Sequence, residues 1–181
     1  MISIIFLTVM SLTMSDETVI FNFNSPSTSG EWTTINDIVM GGISESRFEI
    51  NSDSTATFSG TVSPDNNGGF ASVRTSIKNE FDDFEGAIIR VKGDGNIYSL
   101  RFRTDKNFDG ISYQAKFKTD PGEWKEYKIP FSNFKPTFRG TTLSNKPKLE
   151  SKDIKQIGIL IADKQFGKFE LMISWIKFYQ F

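Results

Sequence analysis

Two loops rich in glycine and in Asn and Asp side chains hold the residues best suited to contact another molecule. The first reads WTTINDIVMGGISES from Trp32 to Ser46, and the second reads SPDNNGGFASVR over 63–74. Paired glycines remove Cβ sterics, so the backbone can turn sharply or pass close to another surface. We therefore expect segments 36–44 and 66–74 to lie side by side and to form one binding site. Its predicted members are Asp37, Met40, Gly41, Gly42, Asn67 and Gly68.

The chain has no histidine and no cysteine. This composition excludes a cysteine nucleophile, a Ser-His triad, a histidine acid–base pair and an ordinary zinc site. The remaining carboxylate candidates, Asp82, Asp83 and Glu85, lie in one ordinary charged turn. We therefore expect a protein that is not an enzyme, with no catalytic residue and no cofactor.

The segment DKNFDG at 105–110 imitates the start of a calcium-binding loop. Oxygen-bearing side chains stand at Asp105, Asn107 and Asp109, and Gly110 follows. An EF-hand needs a bidentate glutamate at the twelfth position, and that position here is Lys116. A hairpin turn explains the same residues, so we predict no metal site.

Composition indicates one domain built mainly of strands. The 181 residues suit a single domain with a sizeable core, and the 18 phenylalanines, with many Ile, Val and Thr residues, favour β structure. The net charge of −1 gives no basic surface for nucleic acid. A partner must then be recognised by shape and by local groups.

Alternating apolar and polar residues predict about ten short strands separated by Gly, Pro and Asn turns. This pattern is typical of an all-β, antiparallel jelly-roll β-sandwich, with closure into a barrel as the alternative. The predicted strands cover 18–23, 47–50, 55–59, 70–74, 87–92, 96–104, 111–118, 124–129, 154–162 and 168–178.

Two features of these segments leave alternatives open. On the strand at 96–104, Arg101 and Arg103 face away from the apolar side chains, either into solvent or toward a ligand. In the segment IPFSNFKPTFRG, Phe131, Phe134 and Phe138 accompany two prolines, which argue against a helix or a central strand. These rings either plug the core or contact a carbohydrate or a protein.

The first fifteen residues, MISIIFLTVMSLTMS, are apolar but too short to span a bilayer, and no transmembrane span is predicted. They fit a cleaved signal without its basic n-region, a dispensable extension, or an ordered first strand. A signal would place the protein in an exported or periplasmic compartment, and a dispensable extension would leave it cytoplasmic. Residues 16–181 form the single predicted domain.

Several uncommon blocks occur in series: WTTINDIVMGGIS, NNGGFASVR, VKGDGNIY with RFRTD, SYQAKF, IPFSNFKPTFRG with the preceding W-x-x-Y, and IGILIADKQFGKFEL. From Thr18 to Tyr179 the chain resembles the complex I intermediate-associated protein 30 (CIA30) family. The resemblance implies a galactose-binding-domain-like jelly roll. Mitochondrial members are assembly factors for NADH:ubiquinone oxidoreductase, and the 181 residues contain no long Arg-rich stretch of the kind found in transit regions.

The resemblance implies a non-catalytic, chaperone-like assembly factor that binds a protein, such as a respiratory complex I assembly intermediate. The alternative is a carbohydrate or small-ligand binding module, with a glycan as the partner. Arg74, Arg101 and Arg139 lie in the matching blocks, and a guanidinium offers a fixed fork of donors to a carboxylate or another anionic ligand. They either face the ligand or fix loops by pairing with Asp37, Asp94 or Asp163.

Overall fold

Alternating side chains along the chain produce two stacked antiparallel sheets in the computed structural model, which describes residues 16–24 and 31–180. Thirteen strands and four short 3-10 turns make up these residues. The predicted extension at 1–15 lies outside them. The strands are β1 Glu17–Asn22, β2 Thr33–Asn36, β3 Glu45–Ile50, β4 Ala56–Val62, β5 Ala71–Ser76, β6 Gly86–Lys92, β7 Ile97–Arg103, β8 Ser112–Lys118, β9 Trp124–Pro130, β10 Lys135–Phe138, β11 Thr141–Thr142, β12 Gln156–Ile161 and β13 Gly167–Tyr179.

One sheet has six strands and the other has seven. The order in the first is β3-β4-β13-β6-β9, and β1 pairs with the second half of the long β13. The order in the second is β11-β10-β8-β7-β12-β5-β2. The predicted all-β sandwich is therefore confirmed.

The core lies between the two sheets and is rich in aromatic rings. Phe102 of the seven-stranded sheet contacts Phe178 of the six-stranded sheet, with ring centroids 5.6 Å apart. Tyr98 and Phe169 make a second contact between the sheets at 6.5 Å. Because Tyr98, Leu100 and Phe102 point into this core, the alternate residues of β7 must point out of the sandwich.

The segment containing Pro136 forms the short strand β10, which was not among the predicted strands. Pro136 pairs with Tyr113 of β8, whereas β11 pairs only with Thr137 and Phe138. The strand tolerates its proline because it is short and next to the sheet edge, where few ladder hydrogen bonds are needed. Strand β2 was likewise missed, because its four residues lie inside the glycine-rich segment.

The aromatic residues around this proline divide between core and surface. Phe131 and Phe134 are buried, and their rings lie 5.9 and 5.1 Å from that of Phe102. Phe138 is 37% exposed. The core-plugging interpretation is confirmed for the first two rings.

No helix within residues 16–24 and 31–180 combines the length and hydrophobicity needed to cross a membrane.

Candidate functional site

The buried carboxylate of Asp37 joins the two glycine-rich loops. One oxygen, Oδ1, accepts the backbone N–H of Ser44 at 2.9 Å. The other, Oδ2, accepts the Ser44 hydroxyl at 2.5 Å, the Gly69 N–H at 2.6 Å and the Phe70 N–H at 3.3 Å. The predicted adjacency of 36–44 and 66–74 is therefore confirmed.

Two of the predicted glycines are needed because the backbone packs against this carboxylate. A Cβ on Gly42 would lie 2.4 Å from Asp37 Cγ, and a Cβ on Gly68 would lie 2.7 Å from Asp37 Oδ2. Real Cβ atoms do not approach other heavy atoms so closely. These glycines therefore serve the internal packing of the loops.

The hydrogen bonds to Asp37 favour its ionised form. Its burial alone would raise the pKa, but the hydrogen bonds from Ser44, Gly69 and Phe70 outweigh that effect and hold the pKa of Asp37 below its ordinary value. With the side chain only 1% exposed, Asp37 supports the loops from beneath.

The 3-10 turn Asp37–Met40 projects apolar side chains from this support. Ile38, Val39 and Met40 are 61%, 63% and 66% exposed, and Ile43 is 52% exposed. We call these four residues the apolar turn. Of these four residues only Met40 was predicted to belong to the site, although the run IVM beside a glycine pair already placed three apolar residues in a predicted loop. Clusters of exposed apolar side chains are typical of interaction surfaces.

A groove of about 820 Å³ crosses the outer face of the seven-stranded sheet. Val39 and Met40 line it at one end, and Thr137 and Arg139 line it near β10. Between these ends, a row in register crosses five adjacent strands. Its members are Arg74, Gly158, Arg101, Gln114 and Lys135.

Three arginines in this groove form what we call the arginine cluster: Arg74, Arg101 and Arg103. Arg101 Nη2 donates to the Ser112 hydroxyl at 2.7 Å, and Arg103 Nη1 donates to the Gly110 carbonyl at 2.7 Å. The Arg74 guanidinium lies 4.6 Å from the centroid of the Phe108 ring. Within residues 16–24 and 31–180, none of the three forms a salt bridge with a carboxylate.

Burial and mutual repulsion act on the cluster together. Desolvation, with the nearby charges of Arg103 and Arg74, lowers the pKa of Arg101 to about 10. Desolvation also lowers the pKa of Arg74 and of Arg103, and Asp105 and Asp109 partly oppose this. Arg101 is therefore the member whose charge is least compensated.

The alternative that Arg74, Arg101 or Arg139 pairs with Asp37, Asp94 or Asp163 is wrong for the part of the chain that the structure describes. Arg139, which is exposed, pairs with Asp109 at 2.7 Å, while Asp163 pairs with Lys116 at 2.7 Å. Asp94 accepts the Tyr98 hydroxyl and the Glu170 backbone N–H instead. The sequence could not reveal the two ion pairs because each joins residues that are distant in the chain and lie in different strands or loops.

The remaining predicted residues have clear positions. Asn67 ends the 3-10 turn Asp65–Asn67, and its side chain lies outside the described part of the chain. Gly41, which directly follows the 3-10 turn Asp37–Met40, adopts a left-handed conformation with φ of 92°. The segment at 105–110 is the β7–β8 hairpin turn, where Gln156 Nε2 donates to the carbonyls of Asp105 and Asn107.

Similar folds occur among carbohydrate-binding modules. The family 11 carbohydrate-binding module from Clostridium thermocellum, solved with a β-1,3-1,4-mixed-linked tetrasaccharide, has a TM-score of 0.65 over 90% of this chain and 94% of that one, at 17% identity. A mutant of CBM29-2 solved with cellohexaose has a TM-score of 0.56 over 92% of each chain, at 9% identity. At these identities the likeness concerns the jelly-roll fold alone.

Relatives found by sequence comparison share more identical residues with this chain than these structures do. A probable mitochondrial complex I intermediate-associated protein 30 of Caenorhabditis elegans is 29% identical over 72% of this chain and 44% of its own length. The Drosophila melanogaster protein of that name is 25% identical over 87% and 61%. An uncharacterized protein of Schizosaccharomyces pombe is 31% identical over 81% and 77%.

This chain thus spans about half the length of the worm and fly proteins that it matches. The sequence profile described as complex I intermediate-associated protein 30 matches residues 21–173. That match covers both glycine-rich loops, the arginine cluster and all strands of the groove. The chain belongs to the complex I intermediate-associated protein 30 (CIA30) family.

Proposed function

We propose that this chain is a non-catalytic binding domain that holds a protein partner against the apolar turn and the adjoining groove. The observation that carries this proposal is the exposure of Ile38, Val39, Met40 and Ile43 on a turn fixed by the buried Asp37. A free protein gains nothing from holding four apolar side chains in water. A partner that covers them removes their apolar surface from water.

The free energy gained by covering the apolar turn is large enough for a docking surface. Complete burial of one such side chain contributes about 1.5–3 kcal/mol, so covering the exposed parts of all four contributes on the order of 5 kcal/mol before the entropic cost of association. Because the turn is anchored by hydrogen bonds, little further ordering is needed when a partner binds. Pre-organisation of this kind favours affinity.

Family membership supports an assembly role. Relatives in worm, fly and mouse carry the name complex I intermediate-associated protein 30. We infer that the partner belongs to an assembly intermediate of respiratory complex I or to a protein that acts with it. In this role the domain binds like a chaperone and performs no chemistry of its own.

The residues present agree with a non-catalytic role. Histidine and cysteine are absent from the sequence. The buried carboxylate, Asp37, already accepts four hydrogen bonds and lies beneath the surface. It therefore has neither the access nor the raised pKa expected of a general acid or base.

A glycan is the second candidate, favoured by the fold shared with carbohydrate-binding modules and by the groove on the sheet face. Sugars bind through exposed ring faces and neutral hydrogen-bonding groups. Among the described lining residues the aromatic side chains are Phe70 and Phe108, and Phe108 already packs with Arg74. Trp124 lies on β9 of the other sheet. The groove therefore suits a protein better than a neutral sugar.

Affinity capture from native cell extract, run beside a glycan array, tests this function. We expect the wild-type domain to recover defined protein partners and the double variant Ile38→Ser, Met40→Ser to lose them. The control double variant Val19→Ser, Ile50→Ser removes apolar side chains of similar exposure on β1 and β3. It should still recover the protein partners. Glycan binding without any protein partner would overturn the proposal.

A further inference from the structure

We propose that the arginine cluster is a binding site for carboxylate groups of an acidic segment of the partner protein. This inference rests on the proposed function, because it assumes that the occupant of the groove is a protein. It adds a chemical class that neither the family name nor the fold specifies.

The cluster surrounds an open part of the groove floor. Arg74 and Arg101 flank Gly158 in register, so their Cα atoms are two strand spacings apart, roughly 10 Å. Arg103 follows Arg101 on the same face of β7, at roughly 7 Å along the strand. Gly158 puts no side chain between them, and a Cβ there would lie 2.7 Å from the Val73 carbonyl oxygen and 3.0 Å from Arg74 Cβ.

The charges around this floor are unevenly compensated. Two other cations that line the groove have carboxylate partners: Lys116 pairs with Asp163 and Arg139 with Asp109. Arg101 donates hydrogen bonds to the neutral Ser112 hydroxyl. The charges that act on it are those of Arg103 and Arg74, which are also positive and lower its pKa. Partly buried charges are normally paired, because desolvation without a counter-charge is costly. The missing counter-charge is supplied by a ligand.

A protein carboxylate is the anion that fits best. The guanidinium fork matches the two oxygens of a carboxylate, and three forks in one patch suit a segment with more than one acidic side chain. Val39 and Met40 border the same groove, so an occupant that carries both apolar and acidic side chains contacts the apolar turn and the cluster together. A neutral glucan would leave the arginine charge uncompensated.

Fluorescence anisotropy with the full chain tests the inference, using labelled oligoglutamate as the probe. Inorganic phosphate, polygalacturonate and neutral β-1,3-1,4-glucan serve as competitors. The variants are Arg101→Met, Arg101→Lys and Arg74→Met. The matched control is Arg47→Met, which removes an exposed arginine on β3 of the other sheet.

We expect salt-sensitive binding of oligoglutamate to the wild-type chain. Arg101→Met and Arg74→Met should each weaken it by at least about tenfold, because a charge-assisted hydrogen-bonding partner is removed. Arg101→Lys should lie between Arg101→Met and wild type, since it keeps the charge but loses the fork. Circular dichroism and thermal melting confirm that each variant is folded.

The inference would be overturned if Arg47→Met and Arg101→Met weakened the binding of oligoglutamate equally. It would also be overturned if phosphate or polygalacturonate bound the chain more tightly than oligoglutamate does. Failure here is distinguishable from failure of the proposed function. If Arg101→Met still captures the protein partner and the Ile38→Ser, Met40→Ser variant does not, the docking function stands and the carboxylate site is rejected. Loss of capture in both variants, with control binding intact, supports both proposals.

Discussion

The Gly69 backbone N–H donates to Asp37 Oδ2 across 2.6 Å, and this bond joins two loops that are 32 residues apart in the chain. The apolar turn begins immediately after Asp37, so the same carboxylate fixes the surface that we propose to be the docking site. Structural and binding effects at this end of the sandwich should therefore be separable by choosing residues beneath or on the turn.

Asp37→Asn should destabilise the domain strongly. The amide has the shape of the carboxylate, but it offers one acceptor oxygen and a donor NH₂ where four donated hydrogen bonds are now received. Leaving buried donors unsatisfied costs about 1–3 kcal/mol each, so we expect a loss of about 2–4 kcal/mol in urea unfolding. Asp65→Asn, an exposed aspartate in the second loop, is the control and should change stability little.

The contribution of Asp37 should also depend on pH in a defined direction. Because its pKa is lower in the folded protein than in the unfolded chain, its stabilising effect is fully present above the unfolded value of about 3.9 and is lost as the pH falls through the folded value. The difference in unfolding free energy between wild type and Asp37→Asn should be constant near neutrality and shrink below about pH 4. A difference that grows on acidification would contradict the assignment.

Gly42→Ala tests the close packing of the backbone on Asp37. The new methyl group would overlap the carboxyl carbon, so the loop or the carboxylate must move. We expect a loss of about 1–3 kcal/mol, as for other overpacked sites. Ile43→Ala changes the adjacent exposed position and should stay within about 0.5 kcal/mol of wild type. Equal stability of both variants would show that the loop relaxes freely.

The two phenylalanines on either side of Pro136 should behave differently. Phe134→Ala removes a buried ring and should cost about 3–5 kcal/mol. Phe138→Ala removes a ring that is 37% exposed and should cost clearly less. Thermal unfolding of the two variants distinguishes the buried ring of Phe134 from the partly exposed ring of Phe138, and the reverse order of stability would contradict the packing described.

Sequence patterns predicted the sandwich because alternation along a strand depends on local spacing. Burial of Tyr98, Leu100 and Phe102 and the outward direction of Arg101 follow from a period of two. The partners of Arg139 and Asp163 could not be predicted in this way, because they depend on which strands become neighbours. The same reason hid Ile38 and Val39: whether an apolar residue in a loop is covered depends on the fold around it.

Site-specific photo-crosslinking in native extract tests the docking surface most directly. We would compare Met40→p-benzoylphenylalanine on the apolar turn with Ile50→p-benzoylphenylalanine, an exposed control on the six-stranded sheet. Partner docking on the apolar turn predicts that position 40 crosslinks to the protein recovered by affinity capture and that position 50 does not. Crosslinking of that partner through position 50 alone would contradict the proposed docking surface.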